Sequence, residues 1–244
     1  MPSYLRLTLV TTLYLSLLAC GGGGGGGGSG PVASTDSFPA ATALQNQTVN
    51  GYVQSFTVTG TQTVSGTTYN VSGTGTITVL AASSSSFEGQ AALLNDETVS
   101  GTLTVNGASA PFSTTTQVYS TPGYAPFGLV VLSPPNQPSA AEYCVMQGTP
   151  IIPTTVKVGD SGAIGTYNCW SDSFKTTPIG TGQLSYVVEA DTAHTAIVNL
   201  TEKDYDSTST LTLTDQRRWR IDTNGNLTWV SETATGPSFS YVFK

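Results

Sequence analysis

Carboxylates at alternating positions are the first residues in this sequence that could do chemistry. Glu202, Asp204 and Asp206 would share one face of a β-strand, because successive side chains of a strand point to opposite faces. Asp96 and Glu97 occupy the matching place in the first half of the chain. Two facing carboxylates could cleave a glycosidic bond, one acting as acid and the other as base or nucleophile. The alternative, which we favour, is that these carboxylates lie in a solvated hairpin end.

The single histidine is the only candidate base for a Ser-His-Asp hydrolase. His194 has Glu189 and Asp191 nearby in sequence to orient its imidazole. However, no Gly-x-Ser-x-Gly segment supplies the nucleophile. We therefore predict that His194 lies in an ordinary turn between strands, and we assign no catalytic residues.

A cluster of three arginines is the third candidate. Arg217, Arg218 and Arg220 could form an anion-binding patch. They could instead lie on an outward strand face and be balanced by Asp222 and Glu232, and we favour this second interpretation.

The overall charge argues against nucleic acid as a partner. The chain has 8 basic and 15 acidic residues, and no Lys or Arg occurs between Arg6 and Lys157. Such a chain cannot neutralise a run of phosphates.

The elements that must position these residues are β-strands. From Gln47 onwards, Thr, Val, Tyr and Ile recur with period two, and Gly, Asn and Pro interrupt them every 8 to 12 residues. No amphipathic helical stretch is evident, and the nearest candidate, Ala91 to Asn95, is too short. We predict an all-β, antiparallel body.

Similar segments recur in the two halves of the chain about 100 residues apart, which suggests a duplication. We therefore expect two similar β lobes, each a small sandwich or flattened barrel, joined at the Pro-rich stretch near Ser133. The alternative is one pseudo-symmetric sandwich or barrel. The matched segments begin at Gly66, Gly73 and Gly101 in the first half and at Gly165, Gly180 and Thr208 in the second.

One hairpin can be read in register. An Asn-Gly turn favours a three-residue loop with Gly225 in the left-handed region, which pairs Ile221 with Leu227 and Trp219 with Trp229. This register places the four large apolar side chains on one face, and burial of that face selects it.

The N-terminus has the features of a targeting segment. Arg6 precedes an apolar stretch from Leu7 to Leu18, which is too short to span a membrane. The sequence Leu17-Leu18-Ala19-Cys20 then resembles the lipobox of bacterial lipoproteins, followed by eight glycines.

The lipobox resemblance implies cleavage before Cys20 and attachment of lipid to this residue. Gly21 stands where an Asp would retain the protein at the inner membrane in the enterobacterial pattern, so the resemblance implies anchoring at the cell outer membrane, facing the periplasm or the cell surface. A Cys followed by poly-Gly is also similar to the start of some Gram-negative surface lipoproteins, including transferrin-binding and factor-H-binding types. That similarity covers only the tether and implies no ligand.

Two cysteines remain once Cys20 is assigned to lipid. Cys144 and Cys169 both lie in strand-like sequence, and the envelope permits disulfides, so we expect them to pair. A metal site is not expected, because these cysteines have no nearby His. No cofactor is predicted.

These observations divide the chain into a signal peptide, a tether and the two lobes. We expect a non-enzymatic binding or structural module of the cell envelope, acting through sheet faces or edge strands on a protein or glycan partner. The alternative is an envelope hydrolase acting on glycan or ester. The boundaries are 1–19 for the signal peptide, 20–45 for the lipidated cysteine and tether, 46–134 for the first lobe and 139–244 for the second.

Overall fold

A computed structural model describes residues 30–132 and 142–244, which form thirteen antiparallel strands and one α-helix, α1, at Ala40–Asn50. The predicted signal peptide, Cys20, the glycine run and the Pro-rich stretch that was expected to join two lobes lie outside the described residues. The strands are β1 Tyr52–Val64, β2 Thr67–Val79, β3 Ser83–Phe87, β4 Gln90–Val105, β5 Ala108–Ser120, β6 Pro126–Leu132, β7 Glu142–Gln147, β8 Ser161–Trp170, β9 Pro178–Ala190, β10 Thr195–Asp206, β11 Leu211–Asp222, β12 Leu227–Gly236 and β13 Phe239–Phe243.

Twelve of these strands close into one barrel. Strands β4 to β13 follow one another in order, β13 pairs with β1, and β1 pairs with β2. A pairing between β2 and β4 closes the ring, so β3 remains outside it as an extra strand on β4. The all-β prediction is confirmed. The two-lobe arrangement is not, because strands from both halves belong to a single closed sheet.

The matched segments do not occupy equivalent elements. Those beginning at Gly66 and Gly73 both fall in or next to β2, whereas those beginning at Gly165 and Gly180 fall in β8 and β9. Because strands rich in Thr and Gly look alike in sequence, the similarity reflects shared strand composition here rather than a repeated unit.

The interior of the barrel follows the period-two pattern. Along β11, Leu213, Asp215, Arg217, Trp219 and Ile221 are all buried, and the residues between them are more exposed. The predicted hairpin is confirmed: Trp219 pairs with Trp229, Ile221 pairs with Leu227, and Gly225 has φ +80°.

Helix α1 lies across one end of the barrel. Gly225, in the turn between β11 and β12, lies against Ala43 of the helix. Farther along the helix, Asn95 of β4 donates a hydrogen bond to the carbonyl of Thr48 at 2.8 Å. Gly51, with φ +63°, ends the helix at a conformation that glycine adopts without strain.

The helix and the residues before it correct two expectations. Residues 40–45 were expected to belong to the tether, but they are helical, and Phe38 is completely buried and forms a bridge with Val156. The helix was missed because its apolar residues are small or few, so it lacks a strong amphipathic pattern. The helical candidate Ala91 to Asn95 is part of β4.

Cys144 and Cys169 are directly paired residues of neighbouring strands. They belong to β7 and β8, their Cα atoms are 4.1 Å apart, and their sulfur atoms are 2.00 Å apart, which is disulfide distance. Both side chains are buried inside the barrel wall.

Candidate functional site

The candidate site is a cavity of about 200 Å³ between α1 and the inner wall of the barrel. We call it the main cavity. Its lining combines aliphatic, aromatic and sulfur side chains with a few polar groups, as ligand-binding cavities usually do. The lining residues used below are Leu44, Tyr52, Glu97, Leu129, Met146, Tyr167, Leu184, Leu200, Arg217 and Trp219.

A second cavity of about 100 Å³ adjoins the main cavity under the same helix. The two share Leu44 and Gln47 of α1, together with Leu200 and Trp219 of the barrel wall. A shift of the helix side chains would therefore change the space available in both cavities.

Arg217 forms the polar end of the main cavity. Its Nε donates a hydrogen bond to Oε2 of Glu232 at 2.9 Å, and both side chains are buried. The hydroxyl of Tyr52 accepts a further hydrogen bond from the guanidinium, and Glu97 acts on it electrostatically. The ring of Tyr52 also makes an edge contact with Trp219, at 5.3 Å between centroids.

The charges around Arg217 explain its ionisation. Burial alone would lower the pKa of the guanidinium, but the neighbouring carboxylates of Glu232 and Glu97 raise its pKa well above the ordinary value. Burial and the charge of Glu97 likewise raise the pKa of the Tyr52 hydroxyl, so this group stays protonated. The site therefore holds a fixed cation between carboxylates.

One donor of this cation has no protein acceptor. The Nη2 atom of Arg217 is buried and forms no hydrogen bond with any described residue. An unsatisfied buried donor costs about 1–3 kcal/mol, and more when it is charged.

A layer of carboxyl groups lies deeper in the barrel, beyond Arg217. Glu202 of β10 is opposite Asp215 of β11, both are fully enclosed, and Asp204 follows on the same inner face. The hydroxyl of Tyr167 donates a hydrogen bond to Asp204, whereas neither carboxyl oxygen of Glu202 has a hydrogen-bond partner among the described residues. We call Glu202, Asp204 and Asp215 the carboxyl layer.

The carboxyl layer binds protons unusually tightly. Burial is the main cause of the raised pKa of Glu202, and the charge of Asp204 adds to it. Burial, followed by the charge of Glu232, raises the pKa of Asp215 well above its ordinary value. Burial also raises the pKa of Asp204 to about 7, against a smaller lowering by the neighbouring Glu202.

Tyr167 separates the carboxyl layer from the main cavity. Its ring lies over Gly182, where an added Cβ would be only 1.9 Å from the ring. Tyr167 lines the main cavity, whereas the carboxyl layer does not. The glycine therefore allows the Tyr167 hydroxyl to reach Asp204.

The alternating carboxylates are thus divided between two environments. Glu202 is fully enclosed and Asp204 is half-buried on the same inner face, which corrects the expectation of a solvated hairpin end. Asp206 does fit that expectation, since it accepts hydrogen bonds from Thr208 and Thr210 in the turn. Glu97 faces the interior, whereas its neighbour Asp96 accepts a hydrogen bond from Gln117 at 3.3 Å.

The arginine cluster is divided in the same way. Arg218 pairs with Glu189, and Arg220 makes a two-pronged pair with Asp191 at 2.6 and 3.0 Å on the outer face. Arg217 was expected on that outward face but lies inside, because it is in phase with the buried Trp219.

His194 is in a turn, as predicted. Its side chain is 85% exposed, and Nδ1 lies 3.1 Å from Oδ2 of Asp36. Glu189 and Asp191, its proposed orienting groups, are engaged with Arg218 and Arg220 instead.

Other kinds of site are not evident in the described residues. Over residues 30–132 and 142–244, no group of three or more His, Cys, Asp or Glu side chains is arranged to hold a metal ion. In the same part of the chain, no helix has the length and apolar character needed to cross a membrane.

Comparison with known proteins found no matching family model, no matching curated protein and no matching solved structure.

The inward position of Arg217 could have been read from the sequence, since it has the same alternation as Trp219 and Ile221. The position of Glu232 could not. A β-bulge in β12 shifts the pairing, so that Trp219 faces Trp229 but Arg217 faces Glu232. This bulge brings the two charges together.

Proposed function

We propose that this protein is a lipid-anchored lipoprotein of the cell outer membrane whose barrel binds a small, predominantly apolar molecule in the main cavity. The observation that carries the proposal is a largely apolar space inside a closed barrel, with its two charged lining residues, Arg217 and Glu97, next to each other. Binding is the whole of the proposed role, without catalysis.

The closed barrel favours an interior site over the edge-strand binding expected from the sequence. Within residues 30–132 and 142–244, each barrel strand is paired on both sides, so the ring offers no free edge, and the extra strand β3 is the only described strand that has one. A protein or glycan partner at the outer surface remains a prediction that is independent of the cavity.

The main cavity is large enough for a ligand of about six to eight non-hydrogen atoms. A dry cavity of about 150 Å³ lined by aliphatic and aromatic side chains binds benzene. The main cavity is somewhat larger, and Leu129, Met146 and Leu184 provide comparable walls.

The hydrolase alternative has less support. Glu202 and Asp204 form the carboxyl pair that a hydrolase would need, but neither lines the main cavity, and Tyr167 stands between them and its space. A ligand in the main cavity would therefore contact Tyr167 before either carboxyl.

A cavity-filling substitution tests the binding proposal. We expect methylenecyclohexane to raise the melting temperature of the protein, because a ligand that binds only the folded state stabilises it. Leu44→Trp should place an indole in the space under α1 and abolish this shift. Leu80→Trp is the matched control, because Leu80 is 56% exposed on the surface.

The two variants give a clear criterion. If Leu44→Trp and Leu80→Trp keep the same shift as the unchanged protein, the ligand does not bind under α1. If methylenecyclohexane gives no shift and no transferred NMR saturation in any of the three proteins, the binding proposal is wrong.

The anchor is tested separately. In the full-length chain expressed in a Gram-negative host, Cys20→Ser should move the protein from the membrane fraction to the soluble fraction, because the sulfur that carries the lipid is lost. Protease treatment of intact cells then distinguishes surface display from a periplasmic position. An unchanged membrane fraction would refute lipid anchoring at Cys20.

A further inference from the structure

The buried donor on Arg217 specifies the chemistry of the ligand. We infer that the main cavity takes a compact, neutral, largely apolar molecule that carries one carbonyl-type oxygen, and that this oxygen accepts a hydrogen bond from Nη2 of Arg217. This inference rests on the proposed binding function and assigns its ligand class.

The first argument is the state of the guanidinium. Nε is engaged by Glu232, and the Tyr52 hydroxyl takes another donor, but Nη2 has no acceptor among the described residues. The Arg217 side chain is only 5% exposed and lines the main cavity. Because Nη2 itself is enclosed, a small movement of the guanidinium would present it to a ligand oxygen in the cavity, and that oxygen would satisfy a donor that the protein leaves unpaired.

The charges around Arg217 favour a neutral ligand. Arg217 already faces the carboxylates of Glu232 and Glu97, so an anionic ligand would add a third negative charge to an enclosed space. A cationic ligand would instead lie against the guanidinium. Because an unpaired ion is costly to bury, the site favours an oxygen that is polar but uncharged.

The remaining wall of the main cavity favours a ligand that is mostly hydrocarbon. Leu129, Met146, Leu184 and Leu200 surround the space with apolar surface, and Trp219 adds an aromatic face. These side chains offer a ligand dispersion contacts and no hydrogen bonds, so one polar atom on an otherwise hydrocarbon body fits best.

A matched series of probes tests the inference. Cyclohexanone and methylenecyclohexane have nearly the same shape and differ in an oxygen against a CH₂ group, whereas cyclohexanecarboxylate and cyclohexylammonium carry opposite charges. Titrations followed by NMR would give the four dissociation constants. A hydrogen bond from a charged donor is worth about 1.5–3 kcal/mol, so we expect cyclohexanone to bind at least about tenfold more tightly than the hydrocarbon.

A variant pair identifies the donor. Replacing the buried ion pair by Arg217→Met together with Glu232→Leu should retain binding of methylenecyclohexane and remove the preference for the ketone. Arg218→Met is the control, because Arg218 lies on the outer face and its loss should leave the preference unchanged. If the double variant does not fold, the Nη2 resonance of Arg217 in the unchanged protein should still shift with cyclohexanone and stay in place with the hydrocarbon.

Each outcome separates this inference from the proposed function. Equal affinity for the ketone and the hydrocarbon would overturn the ligand class while leaving the binding function intact. Tightest binding of the carboxylate or the ammonium probe would overturn it as well. If no probe binds, the proposed function itself fails, and the ligand class fails with it.

Discussion

Asp204 should make the protein less stable as the pH rises through neutrality. Burial raises its pKa from an ordinary value near 3.9 to about 7. Between these two values the folded state holds a proton that the unfolded state has lost, so the free energy of unfolding falls as pH increases. The stabilisation is complete below about pH 4 and is lost above about pH 7.

The size of this effect follows from the two pKa values. At about 1.36 kcal/mol per pKa unit, the upper limit is about 4 kcal/mol, of which about 2.5 kcal/mol falls between pH 5 and pH 8. Glu202 and Asp215 also have raised pKa values, so they act in the same direction and add to this loss.

The perturbation is Asp204→Asn. The amide has nearly the same shape and can still accept the hydrogen bond from Tyr167, but it does not ionise. We expect urea unfolding at pH 5, 6, 7 and 8 to show a loss of stability that is about 2.5 kcal/mol smaller in this variant than in the unchanged protein, with the loss from Glu202 and Asp215 retained. Asp206→Asn is the control, because hydrogen bonds from Thr208 and Thr210 lower the pKa of Asp206, so it titrates below this range.

Two results would refute this reasoning. One is a free energy of unfolding that stays constant or rises from pH 5 to pH 8 in the unchanged protein. The other is an equal pH dependence in Asp204→Asn and Asp206→Asn.

Two further predictions concern stability and packing. Replacing Cys144 and Cys169 by serine should lower the free energy of unfolding by about 3 kcal/mol, because the disulfide closes a loop of 25 residues. Calorimetry under oxidising conditions would measure this loss. If the variant and the unchanged protein were equally stable, the two cysteines would not be bonded. Gly182→Ala should displace the ring of Tyr167 and destabilise the barrel by about 1–3 kcal/mol. Gly123→Ala should have little effect, because the nearest atom to its added Cβ would be Oγ1 of Thr121 at 3.7 Å. Equal melting temperatures for the two variants would contradict this packing of Tyr167 on Gly182.

The register of the β11–β12 hairpin could be predicted from the alternation of its side chains. The Asn-Gly turn and the need to bury Trp219 and Trp229 together are local, so the register between β11 and β12 near the turn could be predicted from the sequence. The same alternation places Arg217 inside, although arginine side chains are rarely buried.

The burial of the carboxyl layer could not be predicted from the local sequence. That Glu202 and Asp204 share a face follows from their spacing, but whether that face meets water or the interior depends on which sheet the strand joins. Helix α1 was not predicted from the sequence, because its apolar side chains are small and are buried only by packing against the end of the barrel.

The sequence alone determined the strand content, the face on which most side chains lie, the N-terminal resemblance to lipoproteins and the cysteines available for pairing. Only the tertiary structure decided that β2 pairs with β4 and not with β3, the next strand in sequence. It also decided that β1 pairs with β13 and that the ring closes. The physical reason is that alternation is a property of neighbouring residues, whereas closure depends on pairings between distant strands. That closure encloses the main cavity, and the bulge in β12 places Glu232 beside Arg217 at its polar end.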